Sequence, residues 1–197
     1  MTGKQLVNPL AGLIKSAAKS LPATTGETAK FEARLNDNSG AVVILADVSG
    51  SMSEFAGASR KIQILQDALA VTMPMLPGAR LWAFSAVARE VTPETLPNPS
   101  GGTALDRAFD AVSALRPAKT VVISDGQPND AAAALVAAKG VTGVIDVIYC
   151  GPDGDMEAIA FMRALAKQGL GTVVVRPLNV GATAISQEIQ RLALPAR

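Results

Sequence analysis

The chain has 197 residues, 49% of them hydrophobic, and a formal net charge of +1. That length supports one well-buried domain and is short for two, and the near-neutral charge supplies no field for nucleic acid, a membrane surface or a polyacid. There is no histidine and one cysteine, Cys150, which excludes Ser-His-Asp and Cys-His catalysis, zinc sites with histidine ligands, an internal disulfide and a CxxC site.

Residues 1–37 read as an N-terminal extension or arm, and 38–197 as the domain proper. The arm's apolar patch is broken by Asn8 and Pro9, which argues against a signal peptide. No apolar run reaches the roughly 18 residues of a membrane helix. A cytoplasmic, reducing setting is therefore expected, with no membrane partner. The string "LPATTG" only resembles a sortase signal, since no apolar tail follows it. A helix is predicted over about Leu10–Ser20, where it would dock on the domain or on another protein, with an edge strand in "KFEARL" and a turn at "NDNSG".

From residue 41 the pattern is regular. "AVVILA" is apolar on both faces, as in a central parallel strand, and stops at Asp47. A helix is predicted from about Ser59, with Ile62, Leu65, Leu69 and Met73 on one face. "ARLWAFSA" and "AREVTP" are close enough for a hairpin, which makes the second an antiparallel edge strand. The Pro/Gly-rich loop "PETLPNPSGG" precedes the helix "TALDRAFDAVSAL", with a binding-loop role resting only on its position before Thr103. "KTVVISDG" is a second fully apolar strand stopping at an aspartate, Asp125. There follow the helix "NDAAAALVAAKG", the strand "GVIDVIYCG", a helix capped by Asp155, the strand "GTVVVRP" and a last helix with Ile185, Ile189 and Leu192 on one face. Strands alternating with helices predict a doubly wound α/β fold with a mostly parallel sheet, and a ligand site beyond the strands' carboxyl ends.

Three segments converge on that edge: "DVSGS", "GGT" and "SDG". Their functional side chains, Asp47, Ser49, Ser51, Thr103 and Asp125, are all oxygen donors. Such a set suits a hard cation, Mg²⁺ first, with Mn²⁺ or Ca²⁺ as alternatives. Short side chains at alternate positions of a tight turn aim at one point, with Gly50 closing the turn and Gly101 and Gly102 admitting the Thr103 loop. Three of the five donors are neutral hydroxyls; where one or both aspartates bind through water, the ion keeps much of its positive charge and favours an outside carboxylate. Singly, each residue has an ordinary explanation: a turn at Asp47 and Ser49, a helix N-cap at Thr103, a turn at "SDGQP". Met52, Glu54, Phe55 and Gln127 follow the metal loops as candidate partner-binding rim residues, although Met52, Glu54 and Phe55 also suit a fold back onto the first helix. Cys150 reads as a core thiol. Asp146 interrupts an apolar strand and reads as solvent-facing or paired with a cation.

In order and spacing, "DVSGSM", "GGT" and "SDG" resemble the von Willebrand factor type A (VWA) family and its metal-ion-dependent adhesion site (MIDAS), over about residues 40–193. The resemblance implies a Rossmann-like six-stranded sheet in the order 3-2-1-4-5-6 with helices on both faces. It implies one metal, bound by Asp47, Ser49, Ser51, Thr103 and Asp125 directly or through water. It further implies a non-enzymatic protein-interaction module whose partner presents Asp or Glu, beside a MoxR-type AAA+ ATPase or in a multiprotein assembly. In some relatives the C-terminal helix shifts when the site gains its acidic ligand. Two alternatives stand beside this reading. One is a structural subunit stiffened by the metal. The other is a metal-dependent hydrolase, which the haloacid dehalogenase pattern disfavours because Ser49 stands where that pattern needs a second aspartate.

Overall fold

In the computed structural model the described residues are 41–194. The predicted arm, with its helix, its edge strand and the boundary after residue 37, lies outside them. The elements run β1 (Val42–Asp47), a 3-10 turn (Gly50–Ser53), β2 (Phe55–Ala56), β3 (Ser59–Arg60), α1 (Lys61–Thr72), β4 (Arg80–Phe84) and β5 (Ala88–Val91). They continue with α2 (Leu105–Ser113), β6 (Lys119–Ser124), α3 (Ala131–Ala138), β7 (Val144–Tyr149), α4 (Met156–Gln168), β8 (Leu170–Val175) and α5 (Ala182–Ala193).

The main sheet has six strands in the order β5-β4-β1-β6-β7-β8. Counting only those six, this is the predicted 3-2-1-4-5-6. Every pairing is parallel except β4–β5, the predicted edge hairpin. β1 and β6 are direct neighbours, in register from Val42 opposite Lys119 to Ala46 opposite Ile123. The carboxyl ends that carry Asp47 and Asp125 are thereby side by side.

Alternation along the strands splits the core in two. Val43, Leu45, Val122, Ile145 and Val147 pack against α2, α3 and α4. Ile44, Ala46, Val121, Ile123 and Ile148 pack against α1 and α5. Each fully buried Leu, Ile or Val contributes about 1.5–3 kcal/mol, so β1, covered on both faces, is a rigid post. The predicted stripe of α5 is realised, with Ile185, Ile189 and Leu192 buried. A buried contact between the Thr72 and Ser186 hydroxyls (2.8 Å) joins α1 to α5.

The structure differs from expectation in local detail. The helix predicted from Ser59 starts at Lys61, because Ser59 and Arg60 pair antiparallel with Phe55 and Ala56. Gly57, at φ 73°, makes that short hairpin possible. On α1 the buried face is Ile64, Leu65, Ala68 and Leu69, and Ile62 is half-buried. Asp130 and Asp155 cap α3 and α4, accepting from the Ala133 and Ala158 N–H groups (2.8 and 2.9 Å). Asp146 is buried. It accepts from the Thr172 N–H and hydroxyl (2.8 and 3.0 Å) and pairs with Lys119 (3.3 Å), which ties β7 to β8 and β6.

Candidate metal centre

The site begins where β1 ends. The Asp47 carboxylate is fully buried. Its Oδ1 accepts from the Ser49 N–H (2.7 Å), which folds the loop back over the strand end. Its Oδ2 accepts from the Ser124 hydroxyl (2.5 Å), reaching across from β6. Burial raises the pKa of Asp47 from 3.8 to about 6; the Ser124 and Ser49 hydrogen bonds oppose the rise and the Asp125 charge adds to it. A buried carboxylate so disfavoured as an anion is one a nearby cation would stabilise.

From Asp47 the donors run outward. Ser49 Oγ lies 3.1 Å from Ser51 Oγ, and the Ser51 hydroxyl donates to Asp125 Oδ1 (2.7 Å). Ser49, Ser51 and Asp125 thus form one continuous hydrogen-bonded chain, with Asp47 at its inner end. The third segment is tied to this loop through the main chain. The Gly50 N–H donates to the Gly101 carbonyl (3.0 Å) and the Ser100 N–H to the Val48 carbonyl (3.0 Å). Thr103 is fixed at both its main-chain groups by Asn129: its N–H donates to Asn129 Oδ1 (3.0 Å) and its carbonyl accepts from the Asn129 N–H (2.9 Å). Gly102 makes room for this contact, since a Cβ there would lie 2.6 Å from the Asn129 amide. Thr103 is not the N-cap of α2, which starts at Leu105 after Ala104. Among the described residues, no side-chain hydrogen bond joins Thr103 to the other four candidates.

The donor set fits a hard cation. No group of three or more Asp, Glu or Cys side chains converges among the described residues. A metal here would rest on two carboxylates and three hydroxyls, as the sequence predicts, and oxygen-only sets are the chemistry of Mg²⁺, Mn²⁺ and Ca²⁺.

Of the predicted rim, Phe55 stands 66% exposed and Glu54 is exposed, while Gln127 is half-buried. Met52 is a correction: it is fully buried, packed under the loop against the α1 face of the core. The 3-10 turn directs it inward, with its N–H donating to the Ser49 carbonyl (3.1 Å). Arg60 lies over the Phe55 ring (5.1 Å to the centroid) and donates to the Ser53 carbonyl (2.7 Å), bracing the hairpin. The Pro-rich loop contributes Pro97 and Asn98 to a cleft of about 190 Å³ beside Val87 and Arg89, next to the Asp47 loop. Cys150 is buried, and burial pushes its thiol pKa up, as befits an inert core residue.

Three participants were not anticipated from sequence. Ser124 holds Asp47 and Asn129 holds Thr103. The third is Lys61, the first residue of α1. Its ammonium donates to Asp125 Oδ2 and to Glu54 Oε2, both at 2.7 Å. Burial works against its charge, but Asp125 and Glu54 outweigh it and hold the lysine pKa above its ordinary value. Ser124 immediately precedes Asp125, which is a weak signal. Nothing in the spacing marks Lys61 or Asn129.

The sheet order, the single antiparallel edge and the helices on both faces define a VWA-type, Rossmann-like fold. Solved structures agree. An aerotolerance-related membrane protein from Bacteroides fragilis superposes with a TM-score of 0.57 at 18% identity, covering 78% of this chain and 98% of the other. BatB from Bacteroides thetaiotaomicron gives 0.54 at 20% identity, over 78% and 99%. The manganese-loaded TRAP protein of Plasmodium vivax gives 0.57 at 16% identity, over 81% and 75%. At these identities the likeness is one of fold. No protein-family model matches the chain, and no curated protein does. Among the described residues no helix is long and apolar enough to cross a membrane.

Proposed function

We propose that the domain is a metal-dependent protein-interaction module, with Asp47, Ser49, Ser51, Thr103 and Asp125 holding a divalent cation, Mg²⁺ before Mn²⁺ or Ca²⁺. The observation that carries this reading is the hydrogen-bonded chain Ser49–Ser51–Asp125 beside buried Asp47, at the carboxyl ends of the two central strands. That one fold neighbour is a manganese-loaded protein supports a divalent cation as the ligand. A bound ion would offer a Lewis-acidic position to an Asp or Glu carboxylate of the partner. The chain's own residues do the rest. Asp47 and Ser124 fix the inner wall, Ser49 and Ser51 present hydroxyls outward, and exposed Phe55 and Glu54 form the rim that selects the partner. The partner class that follows from the family resemblance is a MoxR-type AAA+ ATPase or another assembly subunit, in a cytoplasmic setting.

This reading is non-enzymatic. Asp47 is committed to two hydrogen bonds and buried, and the chain has no histidine to serve as a base near neutral pH. The test has two parts. Calorimetry should detect Mg²⁺ or Mn²⁺ binding in the wild type and none in Asp47→Ala, with circular dichroism confirming that the variant is folded. Pull-down from native lysate should then give bands lost with EDTA and with Thr103→Ala. Unchanged metal affinity in Asp47→Ala removes the site assignment. A partner retained with EDTA and by Thr103→Ala identifies a structural subunit instead.

A further inference from the structure

Lys61 reaches the heart of the candidate metal centre from a different element. Its side chain is only 13% exposed, and the Asp125 side chain it contacts is 1% exposed. With Ser51 on Oδ1 and Lys61 on Oδ2, both Asp125 oxygens are already taken. The ammonium is not held by Asp125 alone. Glu54, 65% exposed, accepts from it at the same distance, and the Glu54 carbonyl accepts the Lys61 N–H (2.9 Å). The segment from Glu54 to Lys61 is closed on itself by these two bonds and by the β2–β3 pairing. The lysine is therefore shared between an inner carboxylate of the site and an outer one on its rim.

We propose that Lys61 is a tethered internal cation that sets the balance of the site, lowering its affinity for a divalent ion and raising the loaded site's affinity for an anionic ligand. The proposal rests on the metal-module reading and deepens it. The first half follows from like charge: an ammonium on Asp125 competes with a metal for that carboxylate and repels an ion beside it. The second half follows from the charge count. Asp47, Asp125 and Glu54 carry three negative charges against the one positive charge of Lys61. A divalent ion cancels the remaining two, and the loaded centre is neutral. Without Lys61 the loaded centre would carry a net negative charge, which opposes the approach of a partner carboxylate. Lysine suits this role because its ammonium is a point charge on a flexible stem and can turn from Asp125 to Glu54 without moving α1.

The test uses Mn²⁺ alone as the metal probe and N-acetylglutamate amide as the anionic probe, on the full chain. Lys61→Met, which keeps the stem and removes the charge, should bind Mn²⁺ about tenfold more tightly by calorimetry, the scale of one like-charge contact removed. Manganese-loaded Lys61→Met should bind the glutamate probe several-fold more weakly, followed by water-proton relaxation of the bound Mn²⁺. Glu54→Gln leaves the lysine to Asp125 alone and should weaken Mn²⁺ binding several-fold. This second variant decides the matter if Lys61→Met fails to fold. Wild type that binds Mn²⁺ with an affinity unmoved by either substitution overturns the Lys61 proposal and leaves the metal site standing. Absence of Mn²⁺ binding in wild type and variants alike overturns both. Binding by Lys61→Met but not by wild type supports the proposal in its strongest form.

Discussion

Asp47→Asn should stabilise the metal-free domain at neutral pH, and the gain should grow as pH rises. The Asp47 carboxyl is fully buried, and its pKa is raised from 3.8 to about 6, chiefly by that burial. The folded state thus holds this proton more tightly than the unfolded chain does. Well below about pH 4 the group is protonated in both states and costs nothing; between about pH 4 and pH 6 the unfolded chain loses the proton while the folded state retains it, so stability falls with rising pH. Above that window the full penalty applies. A rise from 3.8 to about 6 is worth about 3 kcal/mol, at 1.36 kcal/mol for each pH unit. Asparagine has no charge to bury. Its carbonyl still accepts from the Ser49 N–H, and its amide can donate to the Ser124 oxygen. Urea unfolding in EDTA, run on both proteins from about pH 3 to about pH 8, should show the stability difference climbing by about 3 kcal/mol in favour of the variant. The other carboxylates cancel in that difference. A difference that stays flat with pH refutes the reasoning. Adding Mg²⁺ or Mn²⁺ at about one hundred times its Kd should return about 2.7 kcal/mol to the wild type and less to the variant.

Two further substitutions probe the scaffold. Met52→Ala should cost about 2–5 kcal/mol by denaturant unfolding because it empties a fully buried position, whereas Phe55→Ala, on the exposed rim, should stay within about 0.5 kcal/mol. Similar losses for the two would contradict their assignment to core and rim. Asp146→Ala removes the acceptor of the Thr172 N–H and hydroxyl and leaves Lys119 without its carboxylate partner; a loss of about 2–4 kcal/mol is expected. Hydrogen exchange at Thr172 should quicken in the same variant.

The sheet was legible because its signals are local and strong. A strand buried on both faces needs an unbroken apolar run, and "VVILA" and "TVVIS" are the two such runs that end in aspartate. Placing them as neighbours required only that the most apolar strands occupy the sheet centre. The short β2–β3 hairpin was not legible. Two residues per strand carry no periodicity, and its polar face resembles a helix start, so the sequence pattern predicts α1 two residues too early. Met52 stays open between rim and core in the sequence for a related reason. It follows a polar loop by one residue, and only the 3-10 geometry of Gly50–Ser53 decides that its side chain turns into the core.

The candidate site divides along the same line. Asp47, Ser49 and Ser51 lie within five residues, so their convergence follows from one turn. Asp125 and Thr103 were reachable because each stands at the end of a predictable element. Lys61 stands 64 residues from Asp125 and was invisible, because its role depends on where the α1 start lies relative to the β6 end. That position is itself set by the hairpin that sequence reasoning missed, since the Lys61 N–H is fixed by Glu54 across β2 and β3. The consequence is specific. A change that straightens the hairpin, such as Gly57→Val at φ 73°, should act on the candidate metal centre by moving Lys61 off Asp125, without touching any of the five candidate oxygen donors.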